Sequence, residues 1–180
     1  YSSAASDVYK RQLFDFLCGA LGWLIGLGRP SVKLIEFVAA LYPVFWGLLI
    51  IIITYAIGKE IFNLHVGVIA GAILIFLPGV VSYSTFGYTD HHIAETFSLL
   101  LICFFVLKAR DDLRSFVLVG LSITVAILFW QGSIVFAGIA FFYLFIIKGK
   151  YKYAFIAFLV SGLIILPFSV GNKYIGGYFT

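Results

Sequence analysis

Methionine is absent from the 180 residues, cysteine occurs twice, and charged side chains make up only 11%. The missing methionine, with an end at Phe179-Thr180 shortly after an apolar run, predicts a fragment truncated at both termini. Cys18 and Cys103 each lie in an apolar stretch with no second cysteine nearby. That excludes a disulfide framework and a paired-cysteine metal site, and both read as small buried apolar residues. A soluble domain carries about 25% charged residues, so this scarcity excludes a water-soluble globular domain and places the chain in lipid. The formal charge of +4 is scattered over short interhelical stretches. With no interleaved basic and aromatic face, nucleic acid is not expected as a partner. No period of about 20–50 residues, inverted hydropathy symmetry or low-complexity linker is present.

What remains is apolar: 63% hydrophobic residues and a mean hydropathy of +1.11. The predicted fold class is all-α, a polytopic transmembrane helical bundle, with room for about six or seven spans of ~20 residues. Residues 1–12 are set apart. From Ser2 to Gln12 they read as the in-frame translation of a transposase sequencing adapter, not a native segment, and are excluded from fold reasoning. Without Asp7, Lys10 and Arg11 the formal charge falls from +4 to +3. Residues 13–30 predict a helix lying along the membrane, because 13–28 is short, glycine-rich and carries Asp15. Gly28-Arg29-Pro30 ends it. Residues 31–180 form the transmembrane part, with six spans over roughly 34–57, 65–81, 93–107, 116–130, 133–147 and 153–170. Several reach the ~17-residue lower limit only if His65, Thr96 and Ser98 lie inside the embedded helices. Pro43, Pro78 and Pro167 are placed near helix ends, where proline costs little. Gly67 and Gly71, four apart, permit close helix approach.

Orientation follows from the basic residues. If the loop between the first two spans is inside, then Lys59, Lys108, Arg110, Arg114, Lys148, Lys150 and Lys152 are all inside. Arg29, Lys33 and Lys173 are outside. This bias over short loops is that of the positive-inside rule. It makes the chain an integral, multi-pass membrane protein with segment 82–92 external.

That external segment holds the dense polar cluster. Asp90, His91, His92 and Glu95 fall within six positions, directly before an apolar helix. Ionisable groups near a bilayer are costly and tend to be functional. Thr89 or Asp90 can cap the helix that follows, and its N-terminus favours a bound anion such as phosphate. Asp90 and His92, two apart in a turn, can converge on one divalent cation. Mn²⁺ and Zn²⁺ tolerate nitrogen best and Mg²⁺ prefers oxygen; two ligands are an incomplete set. Glu95 lies three after His92 and four after His91, on one helix face with both. The same residues also suit a bland role, with Asp90 as a cap, the histidines at headgroup depth and Glu95 as a packed, hydrogen-bonded residue.

Gly87-Tyr88-Thr89-Asp90-His91-His92-Ile93-Ala94-Glu95 resembles the second acidic motif of the archaeal oligosaccharyltransferase catalytic subunit, in its D-x-H form. Softer likenesses extend over nearly all of 13–170. Leu13-Phe14-Asp15 resembles the close of that family's long first external loop. Pro43-Val44-Phe45-Trp46-Gly47, Gly58-Lys59-Glu60-Ile61-Phe62 and the run from Gly67 to Pro78-Gly79 resemble its next two helices. Phe129-Trp130-Gln131-Gly132 resembles its tryptophan-containing external turn. The family's first acidic residue, later loop glutamate and C-terminal Trp-Trp-Asp-type motif have no counterpart here, as expected of a fragment.

The resemblance implies a membrane domain of the GT-C glycosyltransferase type and an activity in protein N-glycosylation. An oligosaccharide would pass from a polyprenyl or dolichyl (pyro)phosphate carrier to asparagine in an Asn-X-Ser/Thr acceptor, by metal-assisted displacement with inversion. Asp90 and His92 would be the catalytic, cation-holding pair, with Mn²⁺ or Mg²⁺ expected and Zn²⁺ ranked after them. His91 would meet the lipid-linked phosphate, with Trp130, Gln131 and Glu95 as further candidates toward it. The fragment by itself is expected to be inactive. The setting is the plasma membrane of an archaeon or a bacterium. Two other readings stand beside this one: another polyprenyl-phosphate-sugar-dependent membrane glycosyltransferase, and a metal- or proton-coupled transporter. The first places an acidic pair in an earlier loop; the second puts its site near the bilayer midplane on broken helices.

Overall fold

The computed structural model describes residues 13–130, 132–147 and 151–169, and these are all-helical, without strands. In chain order the helices are α1 (Leu13–Ile25), α2 (Val32–Ile61), α3 (Leu64–Leu74), α4 (Pro78–Tyr83), α5 (His92–Lys108), α6 (Leu113–Phe129), α7 (Ser133–Phe142) and α8 (Tyr151–Ser169). A π-helical turn, Tyr143–Ile147, prolongs α7. By length and composition, among the described residues, α2 is long and apolar enough to cross a membrane. The adapter-like residues 1–12, Lys148, Lys150 and Lys173 lie outside the described residues.

α1 ends at Ile25, and a turn over Gly26-Leu27-Gly28 follows it. Gly28 takes φ +81° and its N–H donates to Trp23 O at 2.9 Å. A Cβ on Gly26 would come within 2.6 Å of Pro30 Cα, so that close approach requires glycine. Ser31 then caps α2, its hydroxyl accepting from Leu34 N–H at 3.3 Å.

Two boundaries differ from the sequence reading. The predicted span 65–81 is two helices, because Leu77 is extended and Pro78 restarts the chain as the first residue of α4. Pro43 sits inside the thirty-residue α2, buried, rather than near a helix end. Two of the polar residues expected inside the helices bond within their own helix. Thr96 Oγ1 donates to His92 O at 3.0 Å and Ser98 Oγ to Glu95 O at 2.7 Å.

Glycine sets how closely α2 and α3 meet. A Cβ on Gly67 would lie 2.6 Å from Tyr55 O, and Gly71 is buried one turn on. Gly120 plays the same part between α6 and α8, 2.6 Å from Ala157 O by the same measure. One packed cluster joins α5, α6, α7 and α8 through Ile102, Phe116, Val119, Ile123, Ala137 and Ala157. A second joins α1, α2, α5 and α6 through Phe14, Tyr42, Trp46, Ile50, Ile93, Ala94 and Phe129. Trp46 is its hub, with the rings of Phe97 and Phe129 at 5.3 and 5.2 Å. Ile93 and Ala94 belong to this floor, so the residues just before them are held against it.

Candidate metal and phosphate site

The site forms where the chain leaves α4 and enters α5. Gly87 has φ +86°, a left-handed conformation that favours glycine, and its N–H donates to Ala40 O at 2.9 Å. Thr89 Oγ1 donates to Ala39 O, also at 2.9 Å. Both acceptors are backbone carbonyls of α2, so two bonds tie the approach loop to that helix. The predicted capping is corrected in detail. The cap position falls at His91 rather than Thr89 or Asp90, and the His91 side chain makes no capping bond. Asp90 Oδ1 accepts from His92 N–H at 3.2 Å, which satisfies a free donor of the first turn from one residue earlier.

Four side chains then interlock. His91 Nδ1 lies 3.2 Å from Asp90 Oδ1, and His91 Nε2 lies 3.1 Å from Glu95 Oε1. His92 Nδ1 lies 2.9 Å from Glu95 Oε2. The two imidazoles are 4.5 Å apart, and Tyr83 packs edge-on against His92 at 5.5 Å. Glu95 is 8% exposed, yet its carboxylate reaches both histidines. The Oε1 contact is an ion-pair distance off the line of a hydrogen bond, whereas the Oε2 contact is a bond. A carboxylate only accepts, so in this bond His92 Nδ1–H donates to Glu95 Oε2.

One ligand atom from each of Asp90, His91 and His92 can be drawn within 4.8 Å of the other two. Ligands about 2.0–2.2 Å from a cation fall within that separation. One carboxylate oxygen and two imidazole nitrogens suit a borderline cation such as Mn²⁺ or Zn²⁺ better than Mg²⁺. The donor set fits a divalent metal as a partial shell.

The geometry thus brings together Asp90, His91, His92 and Glu95, all named from the sequence. Trp130 stands at the end of α6 next to Phe129 of the aromatic floor, its ring folded over Gly132. It is outside the interlocked group. Gln131 lies outside the described residues. Asp15 is an addition. It is exposed on α1, where partial desolvation, the larger effect, holds its carboxyl above the ordinary value against an opposing influence of His91. The signal available in the sequence was an acid inside an apolar run.

The family model described as "Oligosaccharyl transferase STT3, N-terminal" matches residues 16–173. Dolichyl-phosphooligosaccharide-protein glycotransferase 3 of Archaeoglobus fulgidus is 28% identical over 83% of this chain and 20% of its own length. The solved structure of archaeal oligosaccharyltransferase AglB from A. fulgidus, in complex with an inhibitory peptide and a dolichol-phosphate, superposes with a TM-score of 0.72. It is 26% identical, over 88% of this chain and 21% of that one. A crystal structure of the A. fulgidus oligosaccharyltransferase complex with Zn and sulfate gives a TM-score of 0.74 at 25% identity, over 91% of this chain and 24% of that one. The chain thus spans about a fifth of the length of these relatives.

Proposed function

The chain belongs to the oligosaccharyl transferase STT3 family, and on that footing we propose that it forms the donor-phosphate end of an archaeal-type oligosaccharyltransferase site in a polytopic membrane domain. The observation that carries the reading is the convergence of Asp90, His91 and His92 ligand atoms at the start of α5. In this reading Asp90 and His92 hold a divalent cation, and His91 contacts a phosphate oxygen of a dolichyl or polyprenyl carrier. The neighbours were solved with dolichol-phosphate and with Zn and sulfate, which supports a metal and a phosphate-bearing lipid as ligands of such an enzyme.

The chemistry that follows is transfer of a glycan from the carrier to the asparagine amide of an Asn-X-Ser/Thr segment. A bound cation would neutralise charge on the departing phosphate. The chain's own residues orient and shield. Asp90 and Glu95 stand at the two ring nitrogens of His91, so an incoming phosphate oxygen would take the place of one of these carboxylates. Tyr83 covers one side of His92. Ile93 and Ala94, which follow the two histidines, pack into the aromatic floor.

A membrane setting is supported by large apolar side chains on the outer faces of the helices. Phe16, Phe76 and Phe155 are 71%, 81% and 65% exposed, a pattern suited to lipid. In this setting the motif faces the non-cytoplasmic side.

The test is made on the full enzyme carrying this region. Asp90→Ala and His92→Ala are expected to reduce sequon glycosylation by on the order of 10²–10³-fold at limiting divalent metal, the scale for loss of a charge-stabilising contact. Near-normal transfer in either variant would sink the assignment.

A further inference from the structure

We propose that Pro43 and Thr89 form a latch that sets the position of the Asp-His-His motif. The inference rests on the metal reading above and adds two positioning residues that lie outside the ligand group.

Proline has no backbone N–H, so a proline inside a helix leaves the carbonyl four residues earlier without its helical donor. For Pro43 that carbonyl is Ala39 O. This is the atom that accepts the Thr89 hydroxyl at 2.9 Å, fifty residues along the chain. The neighbouring carbonyl, Ala40 O, accepts Gly87 N–H at 2.9 Å. A buried proline in α2 therefore frees Ala39 O, and Ala40 O beside it also faces the loop just ahead of Asp90. Thr89 is adjacent to Asp90, and Asp90 in turn holds His92 N–H and contacts His91. Gly47, one turn beyond Pro43, admits Ser84 so closely that a Cβ there would lie 2.6 Å from the serine Cβ. The loop thus meets α2 at both its start and its end. The proline makes the acceptor, the threonine uses it, and the motif inherits its register from α2.

The full enzyme without added metal, then titrated with Mn²⁺, tests this. Thr89→Val keeps shape and removes the donor; Thr89→Ser keeps the hydroxyl; Pro43→Ala restores an N–H that can take back Ala39 O. Loosening the loop lowers the fraction of molecules ready to bind and weakens apparent affinity by that fraction. Thr89→Val and Pro43→Ala are each expected to weaken Mn²⁺ binding by about threefold to tenfold, the reach of one exposed hydrogen bond. Both should speed amide exchange at Gly87 and Asp90 in the metal-free protein. Thr89→Ser should match the wild type, and the double variant should be no worse than the worse single, because both changes break the same bond. If Thr89→Val leaves affinity and exchange within twofold of wild type, or if the two effects multiply, the latch is wrong. Should Pro43→Ala fail to fold, the valine and serine pair still decides. Asp90→Ala and His92→Ala, titrated alongside, separate the two levels. Loss of Mn²⁺ there with no effect of Thr89→Val overturns the latch alone. Unchanged Mn²⁺ binding there, with faster exchange in Thr89→Val, overturns the metal reading and leaves the latch standing.

Discussion

Glu95 is a buried acid whose carboxylate reaches both histidines of the cluster. Its oxygens stand 3.1 Å from His91 Nε2 and 2.9 Å from His92 Nδ1. An imidazole that donates one N–H to a carboxylate offers the other nitrogen to a metal, with its ring held in place. Glu95→Gln keeps the volume but weakens that acceptor and adds a competing donor. It is expected to lower cation affinity by on the order of 10–100-fold, as losses of such outer partners do, with helix content unchanged. A Mn²⁺ titration checks this, and ¹⁵N-histidine spectra should show a change at His92 Nδ1, the atom that faces residue 95. The spacing of Glu95 from both histidines was visible in the sequence, because helical periodicity fixes which residues share a face. The pairing of Glu95 with both at once was not, since it depends on rotamers packed against the aromatic floor. Asp15 was visible as an acid in an apolar run, but its nearness to His91 arises from the docking of α1 on α2, which no local pattern encodes.

At the scale of the helices, glycine and proline carry most of the information. The four-residue spacing of Gly67 and Gly71 announced a close contact, and both are buried against α2. The partner glycine, Gly58, could not be paired with them, because the register of α2 against α3 is a tertiary fact. Pro43 was misplaced for a related reason. Proline in an apolar run reads as a helix end, and only the fold brings the Thr89 hydroxyl to Ala39 O, the carbonyl left without its helical donor. The glycine contacts give a paired prediction. A Cβ on Gly67 would meet Tyr55 O at 2.6 Å and Lys59 N at 2.9 Å, both backbone atoms that cannot turn aside. Gly67→Ala should therefore destabilise by about 1–3 kcal/mol through overpacking. Gly138, in α7, has nothing within 4 Å of the same position. Gly138→Ala should be neutral or stabilising by about 0.5–1 kcal/mol, from helix propensity alone. Thermal denaturation of both variants in the same detergent or lipid measures the contrast, and equal shifts would contradict the packing.

Across the whole molecule, α5 acts as a ruler between two chemically different ends. Its seventeen residues measure about 25 Å at 1.5 Å each, close to a hydrocarbon thickness of ~30 Å. Its first turn carries His92 and Glu95; its last turn carries Lys108, which pairs with Glu60 at 3.6 Å from the end of α2. Lys59, Arg110 and Arg114 belong to that same end, where Tyr153 of α8 also reaches Asp111 O. The charge count along the sequence thus acquires a geometry: basic residues gather where α2 and α5 finish and α6 starts, a helix length from the motif. If that basic end faces the cytoplasm, an impermeant reagent should distinguish the two. With Cys18 and Cys103 replaced by serine, Tyr88→Cys, at a half-exposed position beside the motif, should be labelled from outside intact cells. Arg110→Cys, exposed at the opposite end, should be labelled only after the membrane is opened. The reverse pattern would put the Asp-His-His cluster in the cytosol. A cytosolic cluster would overturn the proposed role at a carrier lipid with an external glycan and acceptor, however well its ligand atoms converge.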